Sequence, residues 1–335
     1  MNVTAATLDT KPLDRFLWRK DVPICADGSV SARKRDVYLV ILDQYASIDE
    51  FRAVFGVDNT PFVKWLESRG FLVAGRATTR FNHTGPSVAD LLNGVTRPVR
   101  QEHWQPRDPR EVLNTAVAEV FSPMPDCVAI RENRTLARFT GLGYHTVNLG
   151  SWFPCTRYNA LADENINVYA GEFREELSAI VYQSTVARLM YVRDPEGLRR
   201  GILREFDALT RKNSTGAPTF TFAHIICPHS PYVFDRFGAP PTATEYKDLY
   251  VGQYQFITEQ VKKLVARLQS AQAEQPVIII QSDHGSNTDT RYFNRVFSAV
   301  FVPDSRPSGW RDNIPASELL DWLFSSFFGC ASAHL

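Results

Sequence analysis

Residues 37–43 read Val-Tyr-Leu-Val-Ile-Leu-Asp, six largely apolar positions in an unbroken run closed by a carboxylate. A run without polar alternation predicts a strand covered on both faces, as in a parallel sheet between layers of helices. The flanking sequence repeats the theme. Thr60-Pro61, then Phe62, Trp65 and Leu66 before Gly70, predicts a helix with proline at its start and glycine past its end. Phe71 to Ala74 predicts a strand. A loop with Asn82, His83 and Thr84 leads through Pro86 to a short helix carrying Val88, Leu91 and Leu92, so Thr84 falls near a helix N-terminus. A helix ending over Leu136 to Phe139, a turn at Gly141 and Gly143 and a strand from Tyr144 to Leu149 follow. Glu172 to Leu209 reads as helical, and Pro218 to Ile226 as a strand running into Cys227-Pro228-His229-Ser230-Pro231. Tyr250, Tyr254, Ile257, Val261, Leu264 and Leu268, spaced by four and three, mark the clearest helix. A strand over Val277 to Ile280 delivers Gln281-Ser282-Asp283-His284-Gly285. Phe297 to Val302 reads as a further strand and Leu319 to Phe328 as a closing helix. The alternation predicts one doubly wound α/β domain over 36–335, with a mostly parallel central sheet and helices on both faces. Residues 1–35, polar and aperiodic, read as a leader or linker.

Composition narrows the function. With 335 residues, 44% hydrophobic and 22% charged, the chain can bury a sizeable core. Lys+Arg and Asp+Glu are 37 each, so no global field draws it to nucleic acid, and no basic stripe or aromatic-basic repeat occurs. A nucleic-acid partner is excluded on that ground. Cysteines 25, 127, 155, 227 and 330 show no CxxC and no close metal spacing, which predicts unpaired thiols rather than a disulfide framework or zinc knuckle. No apolar run is long enough for a transmembrane helix. Near the start, Asp9, Lys11, Asp14, Arg15, Arg19 and Lys20 stand where a signal peptide would need an apolar core. The expectation is a soluble, cytoplasmic chain, unless it is a domain trimmed from an exported protein.

In open parallel sheets, ligands bind beyond the carboxyl ends of the strands, where loops and helix N-termini converge. That rule selects Asp43, Asp283, His284 and His229, each just past an apolar run. Two carboxylates and an imidazole from separate strand ends suit a divalent cation such as Zn²⁺ or Mn²⁺. Each residue also has a plainer reading. A single Asp after a strand is commonly a turn or cap residue. The adjacent pair Asp283-His284 is more telling, because ionisable groups at the end of a buried strand are costly unless paired or metal-bound. His229, between prolines, could simply stiffen a loop, and His224, inside its strand, reads first as a hydrogen-bonded core histidine. Thr84 on local grounds is a helix cap. Beside a cation its hydroxyl becomes a credible nucleophile for phosphorus.

Five segments together carry a family resemblance: Val37 to Asp43; Asn59-Thr60-Pro61-Phe62 with Arg69-Gly70-Phe71; Asn82-His83-Thr84-Gly85-Pro86-Ser87; His224 to Tyr232; and Ser282-Asp283-His284-Gly285. In order and spacing the chain resembles the sulfatase-like branch of the alkaline phosphatase superfamily, nearest the single-metal group of lipoteichoic acid synthases and lipid A phosphoethanolamine transferases. The resemblance implies an alkaline-phosphatase-like α/β fold, one divalent metal ion (Mn, Zn, Mg or Ca) and a covalent intermediate. It implies Asp43, Thr84, Asp283 and His284 as metal ligands, with Thr84 also the nucleophile. His229 would contact the substrate or assist the leaving group, with His224 a second candidate for that task.

Departures from the family pattern refine the expectation. Thr84-Gly85-Pro86-Ser87-Val88 keeps the proline of the formylglycine signature but has threonine first and valine last, and threonine cannot become formylglycine. Gln44 stands where many relatives have glycine or a second carboxylate, which speaks against a two-metal centre. The implied function is metal-dependent hydrolysis or transfer at a phosphate ester or phosphodiester, on a small phosphorylated or headgroup-type substrate. A membrane-associated substrate or partner stays open. The rivals are a catalytically inert binding module of the same fold and a sulfatase or phosphonate-ester hydrolase of broad specificity.

Overall fold

Seven strands form one sheet in the order β2-β7-β6-β1-β5-β3-β4. The computed structural model describes residues 35–94, 125–159, 161–169, 195–211, 216–271, 274–304 and 307–330. The strands are β1 Val37–Leu42, β2 Leu72–Ala74, β3 His145–Gly150, β4 Glu164–Asn167, β5 Thr219–Ile225, β6 Val277–Ser282 and β7 Ser298–Phe301. Those from β6 through β1, β5 and β3 to β4 run parallel, while β7 pairs antiparallel with both β6 and β2. The sheet is thus mostly parallel, as the buried runs require.

The strand opened by Val37 lies at the centre, and every residue of it is buried. Its side chains alternate between two cores. Tyr38, Val40 and Leu42 face helices α1 Ile48–Phe55, α2 Thr60–Ser68, α7 Pro195–Leu209 and α8 Tyr246–Ala271. Val37, Leu39 and Ile41 face α3 Thr84–Asn93, α4 Pro125–Arg131, α5 Arg134–Gly141 and α9 Ala316–Ser326. This explains the absent polar alternation, since both faces are covered. Each fully buried Leu or Ile contributes about 1.5–3 kcal/mol of transfer free energy.

Local signals set several ends. Pro61 occupies the first turn of α2, and Gly70, at φ +87°, closes its exit. Several short elements are not among those predicted from the sequence, α1 and β4 included. Helix α1 is capped by Ser47, whose hydroxyl accepts from the Glu50 N–H, and β4 is a short strand beside β3. Of the helix expected over 172–209, residues 195–209 are observed, while 172–194 and positions 1–34 of the expected leader 1–35 lie outside the described residues. Among the described residues no helix is long and apolar enough to cross a membrane.

The cysteine expectation needs correction. Cys127 in α4 and Cys155 in α6 (Pro154–Arg157) form a disulfide, their Cα atoms 4.4 Å apart. Cys330 is disulfide-bonded as well, and Cys227 is a buried free thiol. A pair 28 residues apart has no local signature. It exists because α4 and α6 pack side by side. Opening this loop by Cys127→Ser with Cys155→Ser is expected to cost about 3.5 kcal/mol on a chain-entropy argument. Denaturant midpoints measured without reductant check it, and equal midpoints for the variant and the wild-type chain would contradict it.

Candidate metal centre

Strand register assembles the site. Leu42 is level with Ser282 on one side and Ile225 on the other, so Asp43 and Asp283 leave adjacent parallel strands side by side. His224, level with Ile41, reaches the same edge from β5. Thr84 begins α3, whose cap residue is His83 rather than Thr84. Its hydroxyl is therefore not spent on capping and turns towards the strand ends.

The side chains converge. Thr84 Oγ1 lies 3.4 Å from Asp43 Oδ2 and 3.3 Å from His284 Nε2. His284 Nε2 is 3.3 Å from Asp283 Oδ2 and 4.0 Å from Asp43 Oδ1, and His224 Nε2 is 3.6 Å from Asp43 Oδ2. One ligand atom each from Asp43, His224 and Asp283 falls within 4.8 Å of the others. All four ionisable groups are buried. The metal ligands inferred from the sequence thus meet in space, and His224 joins them more closely than its reading as a core histidine suggested. His229 stands at the rim, half-buried, its N–H donating to the Asp43 carbonyl at 3.1 Å and its ring edge-on to Trp152.

The donors fit a divalent cation. Asp43 Oδ1, Asp283 Oδ2 and His224 Nε2 are buried without hydrogen-bond partners. Such a buried group ordinarily costs about 1–3 kcal/mol, more when charged. Their other atoms are occupied. Asp283 Oδ1 accepts from the N–H groups of Gln44 and His284, at 3.0 and 2.8 Å, leaving Oδ2 to the site. Gln44 takes φ +60°, a region uncommon for side-chain-bearing residues, as it presents that N–H. His224 Nδ1 pairs with Thr156 Oγ1 at 3.0 Å, and His284 Nδ1 with the Gly285 carbonyl at 2.9 Å, which turns each Nε2 inward. Orientation of a ligand imidazole through its second nitrogen is the usual support in metal sites.

Charge points the same way. Burial pushes Asp43 upward, but the His224 contact and the charges of His229 and His284 outweigh it and hold the carboxyl below its ordinary range. Burial and the Asp43 charge push Asp283 upward. The adjacency of two buried carboxyls thus drives their acidities apart, and a cation between them relieves that conflict.

Glu50 sets the neighbouring turn. Wholly buried, it accepts from the Ser286 N–H at 2.9 Å and hydroxyl at 2.6 Å through Oε1. A Cβ on Gly285 would lie 2.5 Å from its other oxygen, which explains why glycine follows His284. Sequence reasoning missed Glu50 and Thr156, and read Gln44 only as a departure from the family pattern. For Glu50 a signal existed, since Ser47-Ile48-Asp49-Glu50 has the form of a capping box. Thr156 could be recognised only through its contact with a histidine 68 residues away.

Comparison with known proteins bears on the family and the fold. The family model described as Sulfatase matches residues 39–304. No curated protein matches the sequence. Among solved structures, the C-terminal periplasmic domain of EcEptC from Escherichia coli, in complex with Zn, superposes with a TM-score of 0.59 at 12% identity, covering 93% of this chain and 86% of that one. Lipoteichoic acid synthase LtaP from Listeria monocytogenes gives 0.57 at 12%, covering 94% and 78%. The integral membrane lipooligosaccharide phosphoethanolamine transferase A of Neisseria meningitidis gives 0.56 at 12%, covering 92% and 56%. At such identities the likeness establishes the fold, the alkaline-phosphatase-like one expected.

Because the raised Asp283 must lose its proton to ligate, Zn²⁺ or Mn²⁺ affinity is expected to rise with pH and to fall on acidification. Asp283→Asn is expected to weaken binding by about 100-fold or more, beyond the usual loss from supporting residues. Titration calorimetry at several pH values checks both, and a pH-independent affinity shared by the variant would contradict the assignment.

Proposed function

The chain belongs to the sulfatase family, and from that premise we propose that it is a metal-dependent hydrolase or transferase of phosphate esters or phosphodiesters with Thr84 as nucleophile. The observation that carries the reading is the Thr84 hydroxyl, set within 3.4 Å of both Asp43 and His284 at the start of a ten-residue helix. A helix N-terminus favours an anionic group beside it, as a bound phosphate would be.

Asp43, Thr84, Asp283 and His284 would hold the cation, with His224 Nε2 as a further donor. When bound, it would supply Lewis-acid charge to the phosphoryl oxygens and favour the deprotonated hydroxyl. The remaining work belongs to the chain. Thr84 Oγ1 forms the new bond to phosphorus as the bond to the leaving oxygen breaks, giving a phosphothreonine-type intermediate. His229 keeps Nδ1 engaged with the Ser230 carbonyl, so its Nε2 is the atom free to give the leaving oxygen a proton. The same nitrogen then takes a proton from water or an acceptor alcohol, and attack by that oxygen releases Thr84. Positioning and charge stabilisation carry most of the rate in such reactions.

The threonine sets sulfate-ester cleavage aside, because it offers no route to formylglycine. Likeness to a phosphoethanolamine transferase and a lipoteichoic acid synthase supports transfer of a phosphorylated headgroup, and a membrane-associated acceptor is part of this proposal. An oxidising compartment replaces the cytoplasmic expectation: the Cys127–Cys155 disulfide supports it, as does likeness to a periplasmic domain.

Thr84→Ala is expected to abolish turnover of bis-para-nitrophenyl phosphate while part of the metal affinity survives, and Thr84→Ser to keep partial activity. Mass spectrometry of the quenched reaction is expected to find the phosphoryl substituent on the Thr84 peptide. Wild-type turnover by Thr84→Ala would refute the nucleophile, and faster cleavage of para-nitrophenyl sulfate than of both para-nitrophenyl phosphate and bis-para-nitrophenyl phosphate would refute the substrate class.

A further inference from the structure

We infer that Gln253, on α8, is a positioning residue that sets His229 at the rim of the site through the backbone of the loop that carries it. The inference rests on the role proposed above for His229. Gln253 is wholly buried, and its carboxamide is saturated. Oε1 accepts from the N–H groups of Val233 and Phe234, at 2.8 and 3.2 Å. Nε2 donates to the carbonyls of Pro228 and His229, at 3.2 and 3.0 Å, with Pro231 at 3.5 Å. A primary amide has two donors and two acceptor sites, and here all four are used on one loop.

The loop needs such a partner. Pro228 and Pro231 have no N–H, and the N–H of His229 is given to the Asp43 carbonyl. The carbonyls of Pro228 and His229, which flank the histidine, are both met by the Gln253 amide. Histidine is thus suspended between the first strand end and one side chain of α8. Loss of the amide leaves the loop attached at the Asp43 carbonyl but free to rotate about it, and displacement of a reacting group by about 1 Å can cost on the order of 100-fold in rate.

The test uses the full chain loaded with Mn²⁺. Gln253→Glu keeps the shape but turns acceptor oxygens towards the Pro228 and His229 carbonyls, while Gln253→Met removes both functions. Each is expected to lower kcat for bis-para-nitrophenyl phosphate by about 10- to 100-fold, with KM and Mn²⁺ affinity within about twofold of wild type. In a His229→Gln background the same changes are expected to cost nothing further. An equal loss in that background, or a parallel loss of Mn²⁺ affinity, would overturn the inference in favour of general destabilisation.

Two readouts do not depend on turnover. In histidine-labelled, metal-free protein, the His229 ring resonance, identified by its disappearance in His229→Gln, is expected to move to the unstructured position in both Gln253 variants. An unmoved resonance would overturn the inference. In the wild-type chain the Val233 and Phe234 amides are expected to exchange slowly, and fast exchange would overturn it even if neither variant folds. Should His229→Gln leave turnover unchanged, the role given to His229 fails, while the resonance and exchange still decide whether Gln253 holds the loop.

Discussion

Parallel pairing of β1 with both β5 and β6 is the constraint on which the site depends. It sets Leu42 level with Ser282, and Ile41 level with His224, and thereby brings Asp43, Asp283 and an imidazole to one edge. A slip of one residue would turn Val37, Leu39 and Ile41 into the core meant for Tyr38, Val40 and Leu42, and would part the carboxylates. The apolar packing of two covered faces thus fixes the positions of buried charges. Those charges repel one another in the metal-free protein. Packing free energy spread over the sheet offsets a local conflict at its edge, a common relation between stability and function.

Helix α8 extends that control to the loops. Its buried face is unusually polar. Tyr250 donates to the Gln44 carbonyl at 2.7 Å and accepts from the Ala46 N–H, Tyr254 donates to the Ala46 carbonyl at 3.1 Å, and Gln253 holds the loop over 228–234. Asn59 donates to the hydroxyls of Tyr45 and Tyr254, and Thr258 pairs with Tyr45. The aromatic bodies of Tyr45, Phe51 and Tyr254 stack in the core with Tyr250 tilted against Tyr254, while the hydroxyls of Tyr250 and Tyr254 reach the Gln44 and Ala46 carbonyls just after Asp43. Burial and directional bonding come from the same residues. Pure aliphatic packing at these positions would leave the carbonyls after β1 without donors.

The sequence disclosed the parts that are local. An apolar run ended by Asp43, another leading to Asp283-His284-Gly285 and a threonine just before Pro86 are visible because burial and helix initiation write themselves into consecutive residues. What stayed hidden depends on register or on distant packing. His224 could not be separated from an ordinary core histidine until β5 was aligned with β1. The pairing of Cys127 with Cys155 required knowing that two short helices adjoin. Gln253 lies within the helix marked by apolar spacing, and as a polar residue that interrupts that spacing it carries no local signal of its role. Polar residues on an otherwise buried helix face are where tertiary hydrogen bonding leaves its trace.

The most direct test of a single cation held by these strand ends is anomalous diffraction from crystals grown with Zn²⁺. The account expects one strong peak, with Asp43, Thr84, Asp283 and His284 atoms about 2.0–2.2 Å from it. Absence of a peak at saturating Zn²⁺, or a peak elsewhere with the Thr84 hydroxyl turned away from the carboxylates, would contradict it.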